Sequence, residues 1–285
     1  MSALPIKRRR RKSGGVGLGF YISAGLLVTL SIAPILWVLK MSIVTRTELF
    51  DSPPPIIPKA LTLSSYDTIF TDPTFIRGLL NSVLIAGSST FLCLLLGAPA
   101  AYAFARLRFR FRTFLMTGIL ALAFFPAVAV IAPLFIEFKQ FQLLNTYWAV
   151  IITDTVFILP LTVWIMSAFF RQLPRDLEDA AKVDGATTMQ AFRKIILPIA
   201  APGVATAAII AFIVTWNEFL FANTFLFDSD HWPSTVVIPN FATTHSIDYG
   251  AQAAAALVVT VPIALVVLAF QRRIVQGLTA GALKG

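Results

Sequence analysis

Two acidic residues, Asp154 and Glu218, stand inside long apolar runs of this sequence of 285 residues. A charged group is costly in an apolar environment, so such a residue is usually kept for a function. Asn217 and Asn223 add amide donors and acceptors next to Glu218. Carboxylates and amides suit a hydroxyl-rich ligand, whose hydroxyl groups need hydrogen-bond partners once they leave water. These four residues are therefore candidate substrate contacts, although the same groups could instead bond across helices and hold a bundle together.

The other reactive side chains form no constellation typical of catalysis or metal binding. The single cysteine, Cys93, excludes an intrachain disulfide and a cysteine metal cluster. The two histidines, His231 and His245, could bind zinc, but they lack a local ligand spacing and are interpreted as ordinary loop residues. The phosphate-binding sequence G-x-x-x-x-G-K-[ST] is absent from the chain. We therefore expect no catalytic residue, no metal site and no cofactor here, and any ATP would be bound by a partner.

The apolar residues are gathered into runs long enough to cross a membrane. Hydrophobic residues make up 57% of the chain and charged residues 13%, with a mean hydropathy of +0.80. An α-helix needs about twenty residues to cross a hydrocarbon core about 30 Å thick. Six runs of roughly that length cover residues 18–39, 79–103, 114–136, 146–168, 203–227 and 251–270. The pattern predicts an all-α membrane protein of six transmembrane helices, in which Asp154 and Glu218 lie at similar depths and could face one cavity.

The distribution of Lys and Arg predicts how these spans are oriented. Eighteen of the 23 basic residues fall on one side of the six spans and five on the other. Basic residues concentrate on the cytoplasmic side, so both termini are expected in the cytoplasm and the chain in the cell membrane. The net charge of +9 is thereby explained without a nucleic-acid partner. The expected segments are a basic tail (1–17), a first span (18–39), an extracytoplasmic segment (40–78), a five-helix core (79–270) and a cytoplasmic tail (271–285).

Between the fourth and fifth runs lies one long cytoplasmic link, residues 174–202, whose first half predicts a short helix. Pro174 suits the first turn of a helix, where its missing N–H costs nothing. Acidic residues follow at once, where the positive end of the helix dipole favours them. Gly185 then offers a left-handed residue that ends the helix after Asp184.

The second half of the link predicts another helix. Thr187 and Gln190 have the spacing of a capping box. The apolar face expected for this helix consists of Met189, Phe192, Ile195 and Ile196. Two helices joined by a Gly turn would thus protrude into the cytoplasm, although such a pair could instead lie on the membrane surface, in contact with lipid.

The run EDAAKVDGA at 178–186 resembles the coupling motif of binding-protein-dependent importers, which is E-A-A, three residues, Gly, and later I-x-L-P. Asp179 stands at the position of the motif's glutamate. In that family the segment is the coupling helix, which seats in a groove of the ATPase subunit. The resemblance implies that the coupling residues are Glu178, Asp179, Ala180, Ala181, Asp184, Gly185, Ala186, Phe192, Leu197 and Pro198.

The resemblance extends over residues 18–285. The runs GAPAAYAFAR at 97–106, WNEFLFA at 216–222 and GLTAGALKG at 277–285 are similar to those of maltose-type carbohydrate permeases, specifically the six-span partner of the pair. This implies the type I permease fold of ABC importers and a sugar substrate, such as a disaccharide or an oligosaccharide. It also implies a second permease subunit, two ATPase subunits that hold ATP and magnesium, and an extracytoplasmic sugar-binding protein. The chain itself would be a transport subunit and not an enzyme.

The acidic loop after the fifth run has a further expected role. Asp228, Asp230 and Asp248 lie there without any Lys or Arg, and we expect them to contact the binding protein. Three alternatives to a sugar importer remain open at this point. They are an importer of glycerol phosphate or another small solute, a proton-coupled secondary carrier that uses Asp154 and Glu218, and a membrane scaffold without transport.

Overall fold

The computed structural model describes residues 17–53, 55–242 and 247–282, with side chains as far as residue 271. Within these ranges the chain is helical, and its only β pairing is two isolated bridges, Val44 to Leu61 and Ala242 to Ile247. The helices are α1 (Leu18–Ile43), α2 (Arg46–Leu49), α3 (Ser64–Thr71), α4 (Pro73–Arg106), α5 (Arg112–Leu122), α6 (Ala127–Gln140), α7 (Tyr147–Gln172), α8 (Asp176–Val183), α9 (Thr188–Ala191), α10 (Leu197–Ile199), α11 (Ala201–Trp216), α12 (Leu220–Phe225), α13 (Ser234–Val237) and α14 (Tyr249–Ala282). The prediction of an all-α fold is confirmed.

Four of these helices, α1, α4, α7 and α14, are long and apolar enough to cross a bilayer. Two pairs of helices meet the same criterion only when each pair is taken together across a bend. One is α5 with α6, bent by 87°, and the other joins Thr188–Ile199 to α11, bent by 77°. Counting each bent pair as one span gives six, as many as the sequence predicts.

The third predicted run, 114–136, is therefore two helices and not one. The chain leaves α5 after Leu122 and enters α6 at Ala127, directly after Pro126. A proline disfavours helical backbone at the residue before it, and here the helix ends before Phe125 and restarts after Pro126. The resulting elbow lies beside α7.

The fifth predicted run, 203–227, is also interrupted. Its main helix, α11, ends at Trp216, and a short helix, α12, follows after the non-helical residues 217–219. Sixteen residues span only about 24 Å, which is less than a hydrocarbon core. The predicted run continues beyond α11 through the break and α12.

The second predicted run, 79–103, begins earlier in the structure, at Pro73. The Asp72 carboxylate caps α4 by accepting a hydrogen bond from the Thr74 N–H at 2.8 Å. Asn81 therefore lies two turns inside the helix and does not cap it. The earlier start makes α4 a helix of 34 residues, which continues through Pro99.

The core of the bundle is formed by α4, α7 and α11, which pack against one another. Gly97 lets α4 and α7 approach each other closely, since a Cβ there would lie 3.3 Å from the Thr162 methyl group of α7. Helix α1 runs beside α14, and its apolar side chains are exposed to the surroundings. Exposed apolar residues are expected where a helix faces lipid or another membrane subunit.

A few polar contacts hold the segment 40–78, which the sequence predicts to be extracytoplasmic. The Glu48 carboxylate, which is buried, accepts a hydrogen bond from the Lys59 N–H at 3.0 Å. Lys59 also pairs with Asp51 at 2.7 Å, and this hydrogen bond and the charge of Asp51 raise the pKa of the lysine. These contacts fix the ends of the Pro-rich run 52–58, whose described residues form no helix.

Gly203 provides a test of the α7–α11 contact. A Cβ at this position would overlap the ring of Phe169, so Gly203→Ala should lower the free energy of unfolding by about 1–3 kcal/mol. The matched control is Gly87→Ala, because a Cβ at Gly87 in α4 meets nothing within 4 Å. Thermal unfolding of the detergent-solubilised proteins would measure both changes. Equal melting temperatures for the two variants would contradict the close packing at Gly203.

Candidate coupling segment and membrane cavity

The first helix of the coupling segment, α8, ends in the way its sequence predicts. Gly185 adopts a left-handed conformation with φ of +81°, and its N–H donates to the Lys182 carbonyl at 3.0 Å. The start differs from the prediction, because α8 begins at Asp176 and leaves Pro174 outside. The residue before a proline prefers extended backbone, and Leu173 is extended with ψ of 142°. Helix α7 therefore ends before Leu173, and Arg175 is the N-cap of α8.

The second helix, α9, begins with the predicted capping box. The Gln190 N–H donates to the Thr187 hydroxyl at 3.3 Å, and the Gln190 side-chain oxygen accepts from the Thr187 N–H at 2.8 Å. A π-helical turn over Phe192–Ile196 follows, in which the Leu197 N–H reaches back five residues to the Phe192 carbonyl. Pro198, which has no N–H, comes next. Helix α10 then leads into the bend before α11.

Aromatic packing attaches the second helix to the bundle. The Phe192 ring lies 4.8 Å from that of Tyr102 on α4 and 6.1 Å from that of Phe170 on α7. Phe192 and Ile196 are buried, as the predicted apolar face requires. Met189 is 55% exposed and does not belong to that face, because it precedes the point at which the chain meets the bundle.

The remaining motif residues divide between an inner and an outer side of the segment. Ala181 is buried, and Ala186 and Leu197 are half-buried. Asp179, Ala180, Asp184, Gly185 and Pro198 are exposed, and so is the apolar tip Val183.

Glu178 faces inward and Asp179 faces outward. The Glu178 Oε1 atom lies 3.0 Å from the Nε atom of Arg106, the last residue of α4, and both side chains are buried. Asp179 is exposed, with Lys182 at 4.0 Å as its nearest charged partner. Sequence reasoning missed this pairing of Arg106. The signal available for it is an arginine at the end of an apolar run, directly after the small and aromatic residues of 97–105.

The two acidic residues of the apolar runs line one cavity, as the sequence suggests. Its volume is about 370 Å³, and it lies between the α5–α6 elbow, α7, and the break after α11. Phe157 and Phe221 contribute aromatic walls. Asp154 is only 3% exposed, and its Oδ2 atom accepts no hydrogen bond from the described part of the chain. A buried carboxylate oxygen without a partner is costly unless a ligand or water meets it.

Glu218, by contrast, has a structural task. Its carboxylate accepts hydrogen bonds from the Phe221 N–H at 2.6 Å and the Ala222 N–H at 3.0 Å, and so caps α12. The Asn217 side chain donates to the Ile213 carbonyl at 2.7 Å, at the end of α11. Asn217 and Asn223 are exposed and do not line the cavity. The structure thus brings together two of the four candidate substrate contacts, Asp154 and Glu218.

Two of the three acids expected to contact a binding protein have partners within the chain. Asp230 pairs with Arg77 of α4. Asp248 pairs with Arg46 at 2.8 Å and accepts a hydrogen bond from the Ala251 N–H. Asp228 is exposed, and its carboxylate accepts only from the Asp230 N–H, at 3.3 Å, among the described residues.

The histidines give no metal centre in the part of the chain that the structure describes. No group of three His, Cys, Asp or Glu side chains there could hold a metal ion. His231 packs against the Tyr147 ring at 5.0 Å. His245 lies outside the described residues.

The sequence reasoning also missed a polar cluster that holds the outer loop to α4. The Asn81 amide donates to the carbonyls of Asp230 and Trp232 at 2.9 and 3.0 Å. The Tyr147 hydroxyl donates to the Asn81 side-chain oxygen at 2.8 Å. Next to it, the buried Ser82 hydroxyl accepts a hydrogen bond from the Ser234 N–H at 2.9 Å. The signal in the sequence is an Asn-Ser pair inside an apolar helix.

Residues 93–280 match the family described as the inner membrane component of binding-protein-dependent transport systems. The chain belongs to this family. The matched range contains the coupling segment and the cavity, and excludes α1. The chain is therefore a membrane permease subunit of an ABC importer and not an enzyme, because ATP hydrolysis belongs to a separate ATPase subunit. Membership also argues against a secondary carrier and a scaffold.

Two relatives match this permease over nearly their whole length. It is 41% identical to the trehalose transport system permease protein SugB of Mycobacterium tuberculosis, over 91% of this chain and 95% of the relative. It is 38% identical to the sulfoquinovosyl glycerol transport system permease protein SmoH of Agrobacterium fabrum, over 93% of both chains.

The fold is similar to that of a solved bacterial ABC transporter that imports the acidic polysaccharide alginate. The TM-score with one of its chains is 0.78, with 20% identity, and the match covers 90% of this permease and 95% of that chain. This similarity supports the ABC importer permease fold.

Proposed function

We propose that this permease forms half of the translocation pathway of an ATP-driven sugar importer. A second permease would form the other half, two ATPase subunits would bind ATP and magnesium, and an extracytoplasmic binding protein would deliver the sugar. The observation that carries the proposal is the exposed edge of the coupling segment around Gly185, which lies next to the helix joined to the bundle through Phe192. The excess of basic residues on the same side supports a cytoplasmic position for this edge and for both termini of a chain that lies in the inner membrane.

The proposed substrate is a disaccharide or an oligosaccharide. One relative is named for trehalose and another for sulfoquinovosyl glycerol, and both solutes are rich in hydroxyl groups. A cavity of about 370 Å³ lies within the range of small-molecule sites. The unpartnered Asp154 carboxylate suits a sugar hydroxyl, and the rings of Phe157 and Phe221 suit the apolar face of a sugar ring.

The coupling segment explains how a chain without an ATP site can be driven by ATP. In our proposal the exposed edge, from Asp179 to Gly185, seats in a groove of an ATPase subunit. Closure of the ATPase pair on ATP displaces the segment, and the inward-facing Phe192 transmits the displacement to α4 and α7. The pathway then opens outward to accept sugar.

Asp179→Lys and Gly185→Pro test this coupling. The first reverses the charge of the exposed edge, and the second forces φ of about −65° on a residue that needs a positive φ. We expect sugar uptake to fall about tenfold or more while the ATPase retains its basal rate, because a coupling free energy of 1–3 kcal/mol corresponds to about 5–150-fold. Uptake and ATP hydrolysis would be measured in proteoliposomes containing the whole complex. Asp67→Lys, which reverses another exposed acid, in α3, is the control. Normal uptake in both test variants would refute the assignment.

Asp154→Asn tests the cavity. The change removes the charge and keeps the size, so we expect normal yield of folded protein and a rise in the KM for sugar of about tenfold, the worth of one charged hydrogen bond. Glu218→Gln is the contrasting variant, because it weakens the cap of α12 and should lower thermal stability. Uptake of trehalose and of other disaccharides would be compared across the series. An unchanged KM in Asp154→Asn would place the sugar contacts elsewhere.

Asp228→Lys tests the contact with the binding protein. Asp228 is the acid of the outer loop that has no ion-pair partner in the described chain, so its reversal should weaken docking without loosening the loop. We expect the stimulation of ATPase activity by the sugar-loaded binding protein to fall about fivefold, which corresponds to about 1 kcal/mol. Basal ATPase activity should stay the same. Unaltered stimulation at every concentration of binding protein would remove Asp228 from the interface.

A further inference from the structure

A buried ion pair joins the cytoplasmic end of α4 to the coupling segment. The guanidinium of Arg106 and the carboxylate of Glu178 approach to 3.0 Å, and their side chains are only 4% and 10% exposed. The Nη2 atom of Arg106 also donates to the Leu173 carbonyl at 2.7 Å. Arg106 therefore binds both α8 and the turn that leads into it.

The same face of α4 contacts both halves of the coupling segment. Tyr102 lies four residues before Arg106, so the two side chains share one face of the helix. Tyr102 packs on Phe192, in the second half, while Arg106 pairs with Glu178, in the first half. The coupling segment is therefore joined to α4 by two contacts, the ion pair at Arg106 and the aromatic packing at Tyr102.

The other end of α4 holds the outer loop. Arg77 pairs with Asp230, and Asn81 donates to the carbonyls of Asp230 and Trp232. A helix of 34 residues is about 50 Å long, so α4 extends from the coupling segment to this loop as one element. Each end is thus fastened to a segment that lies far from it in the sequence.

We propose that Arg106 and Glu178 are positioning residues for coupling, and that α4 carries the movement of the coupling segment to the outer loop at 228–234. The inference rests on the proposed function, because it assumes that an ATPase displaces α8. The pair fixes the register of α8 on α4. A displacement of the exposed edge of α8 then also displaces α4, and α8 does not slide along it.

Stability alone does not account for the pair. A buried ion pair adds little or no net stability compared with apolar residues of similar size, because both charges lose their hydration. Apolar residues carry no charge that holds one helix to the other, whereas the opposite charges of Arg106 and Glu178 attract each other across the contact between α4 and α8. The ion pair therefore suits a contact between α4 and α8 that transmits a displacement in one direction. An interface that only packs would not need it.

The experiment uses the whole complex in nanodiscs, with a fluorophore on the outer loop. The label is placed at exposed Ser229 through Ser229→Cys, in a Cys93→Ala background, because Cys93 is the only cysteine. Trapping with ATP and vanadate should change the fluorescence of the otherwise unaltered complex. We expect Glu178→Gln and Arg106→Gln each to reduce this change about fivefold or more, in line with a typical coupling free energy. The variants should still co-purify with the ATPase.

A double variant separates coupling from folding. Arg106→Met combined with Glu178→Met replaces the pair by apolar side chains, which usually preserves stability. We expect this protein to remain folded, although it also loses the hydrogen bond to the Leu173 carbonyl, and to show a weak outer response. The controls are Arg108→Gln and Asp176→Asn, which remove exposed charges next to each partner and should keep the full response.

The outcomes separate the two proposals. A full response in the double methionine variant, or in both single variants, would overturn the role of the pair. If the label at position 229 responds to ATP but the complex imports none of the sugars, the proposed substrate is refuted and the proposed role of the ion pair is not affected. An ATP-bound complex with no outer response, even with the ion pair intact, would overturn the transmission through α4.

Discussion

The structure depends on one constraint, which is that a polar group inside the hydrocarbon core has to find its partner within the protein. The break after Trp216 shows how this is met. Helix α12 begins with N–H groups that have no preceding helical carbonyls, and the Glu218 carboxylate accepts from two of them. The Asn217 side-chain amide donates a hydrogen bond to the Ile213 carbonyl at the end of α11. Because side chains satisfy the freed backbone, the helix can be interrupted within the membrane.

The interruption has a consequence for the translocation pathway. A straight helix would pack along α7, whereas the break and the α5–α6 elbow leave room for a cavity. Glu218 is occupied by its backbone contacts, while Asp154 on the facing helix keeps an oxygen without a partner in the described chain. Two carboxylates that line the same space thus differ in availability, and Asp154 is the one free to meet a ligand.

The same constraint explains why α4 connects the two sides of the membrane. Its polar side chains cluster near its ends, where they meet the outer loop and the coupling segment. Its middle is apolar, apart from small hydroxyl residues, and packs on α7 through Gly97. A helix built this way is fastened at both ends and closely packed between them.

The sequence by itself determined the features that depend on neighbouring residues. The apolar runs predict spans because crossing length is a local property, and the capping box at Thr187 and the stop at Gly185 depend on residues a turn away. The coupling motif is likewise contiguous, and it led to the right family. The breaks within the third and fifth runs were missed, because hydropathy reports how apolar a segment is and not how its backbone bends.

Only the tertiary structure decided which side chains face each other. Glu178 and Asp179 are neighbours of the same charge, but successive residues on a helix point about 100° apart, so one meets Arg106 and the other faces outward. Arg106 and the partners of Asp230 and Asp248 are distant in the chain, and no local pattern announces such pairs. Burial and pairing depend on how the helices pack, which is a property of the whole bundle.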